Sequence, residues 1–142
     1  VPGVTAPAAA KEVRMALQPI ETDQAPAAIG PYVQSIAAGP LRFVSGQLGL
    51  DPQTGELVGT DLATQARQAL ENLKQILVAA GCGLEQVAAV DVFLTDMGDF
   101  IEFNQIYADF FGRHRPARAV VEVGALPKGA LVEVKCVAYA GT

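Results

Sequence analysis

Asp61–Thr95 reads DLATQARQALENLKQILVAAGCGLEQVAAVDVFLT, and its hydrophobic period changes once along the way. In its first part Leu62, Ala66, Ala69, Leu70, Leu73, Ile76, Leu77 and Ala80 recur at spacings of three and four, so they share one stripe of a helix over Asp61–Ala80. Thr60 or Asp61 can cap the start by accepting a free backbone N–H, and Gly81 can end the helix in a left-handed conformation. From Val87 to Thr95 the period drops to two. Val90, Val92 and Leu94 fall on one face, and Ala89, Asp91, Phe93 and Thr95 on the other. A one-sided helix beside a strand apolar on both faces predicts a helix packed on a sheet.

Downstream, Met97–Phe111 repeats the helical pattern through Phe100, Phe103, Tyr107, Phe110 and Phe111. Asp96 or Asp99 can cap it, and Gly112 stops it. The basic loop Arg113–Ala117 leads to strands at Arg118–Val123 and Leu131–Tyr139, separated by a turn at Leu126–Gly129 (LPKG). Upstream, Tyr32–Ala38 and Leu41–Ser45 read as a hairpin about Gly39-Pro40, followed by a loop over Gly46–Thr60. The order is ββαβαββ. It predicts an α+β two-layer sandwich, a mixed sheet with two helices on one face. Phe43, Phe93, Ala89 and Val137 would lie on the other face, which is apolar enough to expect cover from another subunit.

Residues 24–142 are expected to form a single domain. Residues 1–23 read as a flexible tail: Val1–Arg14 is rich in Ala and Pro, and Met15 reads as a native start. The 142 residues include 10 Lys and Arg against 15 Asp and Glu, a net charge of −5, which argues against a dedicated nucleic-acid binder. No apolar run is long enough to span a membrane. Two cysteines, Cys82 and Cys136, and one histidine, His114, are too few for a disulfide scaffold or a zinc site. A reducing, cytoplasmic setting is expected, with no metal and no cofactor.

Familiar catalytic machinery is absent: there is no G-x-S-x-G elbow, P-loop or G-x-G-x-x-G. His114 reads as a surface loop residue, Cys136 as core, and Cys82 as a turn residue or a reactive thiol. The informative stretch is Arg115–Glu133, RPARAVVEVGALPKGALVE. Arg118 opens a strand directly after Pro116-Ala117, where its planar fork suits either bidentate capture of a small carboxylate or an ordinary ion pair. Glu133 sits between two valines. It either faces water beside Lys135, or faces a cleft where it can hold a water and take its proton. Ser45-Gly46-Gln47 ends a strand, and a glycine there lets a ligand approach the backbone.

Several motifs in order resemble the reactive intermediate deaminase family, RidA (YjgF) subgroup, long labelled L-PSP endoribonucleases. They are APAAIGPY at Ala25–Tyr32, VSGQ at Val44–Gln47, DPQTGE at Asp51–Glu56, QARQALENL at Gln65–Leu73, VFLTDM at Val92–Met97, RPAR at Arg115–Arg118 and VEVGALPKGA at Val121–Ala130. The resemblance implies a chorismate-mutase-like fold, a homotrimer with sites between subunits, and hydrolysis of 2-aminoacrylate and 2-iminopropanoate to a 2-oxo acid and ammonia. It assigns Arg118 to the substrate carboxylate, Glu133 to the attacking water, Tyr32 and Ser45 to the cleft lining, and Asn104 to a supporting role. Gly46 belongs to the same lining. Val120 stands where the family often has a cysteine acting through its backbone. Lys135 stands where a second glutamate is frequent, and is expected to favour the ionised form of Glu133. Two other functions fit parts of the pattern: a non-catalytic module binding small carboxylates, and an endoribonuclease or translation inhibitor.

Overall fold

The computed structural model describes residues 8–10 and 16–141. Residues 1–7 and 11–15 of the expected tail lie outside them. The helices are α1 (Leu62–Ala79) and α2 (Phe100–Phe111). The strands are β1 (Leu17–Ile20), β2 (Ser35–Ala38), β3 (Leu41–Leu48), β4 (Val87–Leu94), β5 (Ala117–Glu122) and β6 (Val132–Tyr139). They form one mixed six-stranded sheet in the order β1-β2-β3-β6-β4-β5. Every neighbouring pair is antiparallel except β4 and β5, which run parallel and are joined through α2.

The α+β class and the order from β2 onward agree with the sequence reading. The added strand is β1, inside the segment read as tail. It is short, exposed and interrupted by Pro19, so it carries no alternation to read. At a sheet edge a proline can turn its missing N–H outward, which is why the strand tolerates it. Ser35 fixes it by donating its hydroxyl to the Ile20 carbonyl at 2.8 Å. The β2–β3 hairpin turns at Gly39, whose φ of +56° needs a residue without a Cβ.

The core follows from the two periods. On β6, Val132, Val134, Cys136 and Ala138 are buried, and on β4, Val90, Val92 and Leu94. Onto this face pack Leu70, Leu73, Ile76 and Leu77 of α1, and Phe103, Tyr107 and Phe111 of α2. The Asp61 side chain caps α1 by accepting from the Thr64 N–H at 2.9 Å. That N–H and the Thr64 hydroxyl, which also donates to the Asp61 carboxylate at 2.9 Å, hold the Asp61 carboxyl below its ordinary range. Gly112, at φ +65°, ends α2. Cys82 lies in the turn that closes α1, its N–H donating to the Leu77 carbonyl at 2.8 Å, but its thiol is not a reactive surface group. It is 5% exposed in the core, and burial pushes its thiol up and that of Cys136 to about 12. His114 is half-buried, with Nε2 2.7 Å from the Val87 carbonyl, a tie between the basic loop and β4.

Three buried amides fasten the loops to this frame. Gln34 spans Thr22 to Pro26: its Oε1 accepts from the Thr22 N–H at 2.7 Å and its Nε2 donates to the Pro26 carbonyl at 2.8 Å. Gln65 accepts from the Leu131 N–H at 2.8 Å and donates to the Gly59 carbonyl at 2.9 Å. Asn72 donates to the carbonyls of Leu48 and Leu50 at 3.1 and 2.9 Å. Gly49 comes so close to α1 that a Cβ would stand 2.5 Å from the Gln65 carbonyl oxygen. Asn72→Leu is expected to leave the buried Leu50 carbonyl unpaired and the Leu48 carbonyl with the Leu50 N–H alone, and to lower stability by about 1–3 kcal/mol. Thermal or urea unfolding measures it, and an unchanged midpoint would contradict the role.

Candidate functional site

A cleft of about 600 Å³ opens over the helix-free face of the sheet. Its floor is β3 and β6. Its walls are the segment before β2 and the turn before β6, and Tyr32, Ser45, Gly46, Lys128, Glu133 and Lys135 are among its lining. The floor is shaped by a bulge in β3. Val44 pairs with Cys136 and Gln47 with Val134, so Ser45 and Gly46 together oppose Lys135 alone. The extra residue bends the strand and turns Gln47 inward, where it is 5% exposed.

Ser45 is anchored on both sides of its Cα. Its N–H donates to the Gln34 carbonyl at 2.9 Å, and its hydroxyl donates to the Val33 carbonyl at 2.6 Å. The hydroxyl proton is therefore committed, and what Ser45 offers a ligand is its lone pairs. Gly46 lies against Glu133: a Cβ there would stand 2.5 Å from Oε1 and 2.8 Å from Cδ. The missing side chain is the room in which the carboxylate sits. Gly46→Ala has an ordinary backbone conformation to occupy, so only the end of Glu133 need move. Stability is expected within about 0.5 kcal/mol of the parent. A displaced carboxylate is expected to lower any activity that uses it about tenfold. Unfolding and rate measurements on the same variant separate the two effects, and an unchanged rate would argue against the carboxylate's place.

Glu133 is half-buried, and burial pushes its carboxyl above the ordinary 4.5. Lys135 acts in the opposite direction as the smaller influence. The expectation that Lys135 would favour the ionised form is therefore outweighed by desolvation. Such a group takes up a proton more readily than a solvated glutamate does.

The other expected site residues lie elsewhere. Arg118 pairs with Val90 in the parallel β4–β5 ladder, whereas Glu133 pairs with Phe93 in the antiparallel β4–β6 ladder. Val90 and Phe93 are three residues apart, so they occupy opposite faces, and their partners follow them. Arg118 thus stands on the helix side. Its Nη1 donates to Asn104 Oδ1 at 2.9 Å, and the guanidinium carbon lies 4.7 Å from the Tyr107 ring centroid and 5.9 Å from that of Phe100. Val120 shares that face, half-buried against the core. The structure brings Tyr32, Ser45, Gly46 and Glu133 to one cleft, and Arg118, Asn104 and Val120 to the opposite side at the β5 edge.

The aromatic shelf under Arg118 was read from the sequence only as core, and helical spacing alone could not place it beside a guanidinium. Lys128 was read as a turn residue and is a cleft residue. Its signal was the LPKG turn directly before β6. Among the described residues no cluster of three His, Cys, Asp or Glu side chains is placed to hold a metal ion, and no helix is long and apolar enough to cross a membrane.

The chain is similar to known proteins along nearly all of the described fold. The family profile described as endoribonuclease L-PSP matches residues 22–140. A RutC family protein of Pyrococcus horikoshii is 51% identical over 120 residues, covering 84% of this chain and 95% of that protein. A mouse protein named 2-iminobutanoate/2-iminopropanoate deaminase is 47% identical over 122 residues, covering 86% and 90%. The crystal structure of E. coli TdcF with bound serine superposes with a TM-score of 0.84 at 43% identity, covering 87% of this chain and 99% of that one. The chain belongs to the endoribonuclease L-PSP family, the YjgF/RidA family that its sequence motifs resemble.

Proposed function

We propose that the protein is an enamine/imine deaminase that hydrolyses small 2-imino acids of the 2-iminopropanoate type to 2-oxo acids and ammonia. The observation that carries the reading is Glu133: a carboxyl lifted by burial, lodged beside Gly46 in an open cleft. Support comes also from the mouse relative's name.

In the proposed reaction a guanidinium holds the substrate carboxylate, and a water stands between Glu133 and the imine carbon. The substrate reacts as its protonated imine: the water oxygen bonds to the imine carbon as Glu133 takes one water proton, and the C=N electron pair moves onto nitrogen to leave a neutral amine. Glu133 returns that proton to nitrogen, then takes the hydroxyl proton as the C–N bond breaks, so that ammonia leaves, the carbonyl forms and Glu133 releases the proton to solvent. Positioning and proton transfers through a single carboxyl suffice, and both suit these residues.

Arg118 and Glu133 occupy opposite faces of one chain, so the proposed site takes its arginine from a second copy. A homotrimer with sites between subunits fits that requirement and would cover the exposed Phe43 and Val121. The test generates 2-aminoacrylate freshly and follows pyruvate and ammonia. Faster release with the protein than without it is expected, and equal rates would overturn the reading. The serine in the E. coli relative supports a binding role as the second reading. Saturable amino-acid binding with no turnover of any imine would select it.

A further inference from the structure

Two ammonium groups share the cleft with Glu133, the one carboxylate among its lining residues. Lys135 lies two residues along β6 on the same face, and Lys128 stands on the turn at the rim. Among the described residues Lys128 is the one non-glycine at positive φ, with φ 60° and ψ 16°. Crowding between Cβ and the carbonyl disfavours that conformation, and such strain persists where the surroundings enforce it, commonly at ligand sites. Its Nζ donates to the Gly55 carbonyl at 3.0 Å. A neutral acceptor fixes the ammonium without cancelling its charge and leaves two donors over. Asp91 stands opposite Lys135 in the β4–β6 ladder but is not part of the cleft lining.

The positive locus is local, since the chain as a whole carries −5. We infer that Lys128 and Lys135 form a cationic subsite that selects 2-imino acids bearing a second carboxylate on the side chain. This rests on the deaminase reading above and specifies its substrate class.

The test compares imines generated in situ by an amino-acid oxidase from glutamate and from glutamine, which differ in charge at nearly constant shape, with the alanine imine as reference. The expected ratio of kcat/KM, glutamate over glutamine imine, is about ten. Lys135→Met and Lys128→Gly are each expected to lower the ratio several-fold, and the pair to bring it to about one. Glycine accepts the Lys128 backbone conformation without strain, and a ratio is insensitive to the fraction of folded protein. A ratio of one in the parent protein, with the alanine imine turned over, overturns this proposal alone. So does a ratio that neither substitution changes. Absence of turnover on every imine overturns the deaminase reading and this proposal with it.

Discussion

Arg118→Ala is expected to lower kcat/KM for a small 2-imino acid by about 10²-fold or more, down to a floor set by uncatalysed hydrolysis. The magnitude follows from two charge-assisted hydrogen bonds to a carboxylate, each worth about 1.5–3 kcal/mol. The guanidinium is held in place by its own chain. Asn104 takes one N–H at 2.9 Å, and the Tyr107 ring lies beneath the plane at 4.7 Å, which leaves the remaining donors to point elsewhere. Arg118→Lys keeps the charge and loses the fork, so an intermediate rate is expected. The geometry adds a sharper outcome. Within one chain Arg118 and Glu133 face opposite ways, so mixed oligomers of Arg118→Ala and Glu133→Gln subunits should regain activity. In an equal mixture about a quarter of the inter-subunit sites would hold both intact groups. Mixing that restores nothing, or an Arg118→Ala variant within twofold of the parent, would refute the assignment.

What could be read from the sequence divides along physical lines. The stripes of α1 and α2 and the alternation of β4 and β6 were legible because those elements bury one face against a common core. β1 was not, since an exposed edge strand holding Pro19 has no buried face to impose a period. Nothing in the sequence marks Gln34, Gln65 and Asn72 as buried, because an amide's partners are distant backbone groups that local spacing does not reveal. The site shows the same division. Ser45-Gly46-Gln47 reads as the end of a strand, but β3 runs on to Leu48 through a bulge at that point, with Glu133 beside it. Placing Arg118 across the sheet from Glu133 requires the parallel register of β4 with β5, which two separate strand patterns cannot supply. Proximity in sequence gives Lys135 the right sign, favouring the ionised form of Glu133. Burial, a property of the assembled cleft, outweighs it.

Glu133→Gln is expected to separate function from stability. In the proposed reaction Glu133 is the proton acceptor, a role worth about 10²-fold, and glutamine keeps its shape while accepting no proton, so the rate should fall to near the uncatalysed floor. The proposed reaction requires that acceptor to be ionised. Activity should therefore decline on the acid side, with a midpoint above 4.5 because burial raises this carboxyl. The stability change has the opposite sign. The folded chain holds the Glu133 proton to higher pH than the unfolded chain does, so between 4.5 and the raised value the native state binds more protons. Stability contributed by the protonated form is present below that window and is lost as pH rises through it. At neutral pH the parent carries an ionised carboxylate in a half-desolvated cleft, and the glutamine variant does not. Glu133→Gln is thus expected to unfold at a higher temperature than the parent at neutral pH, with the gain shrinking as pH falls toward 4.5. Melting curves across that range, run beside rate measurements, test both halves. A variant that is inactive and also less stable at neutral pH would show that Glu133 is held by favourable contacts, and would contradict the account of a carboxylate poised by desolvation.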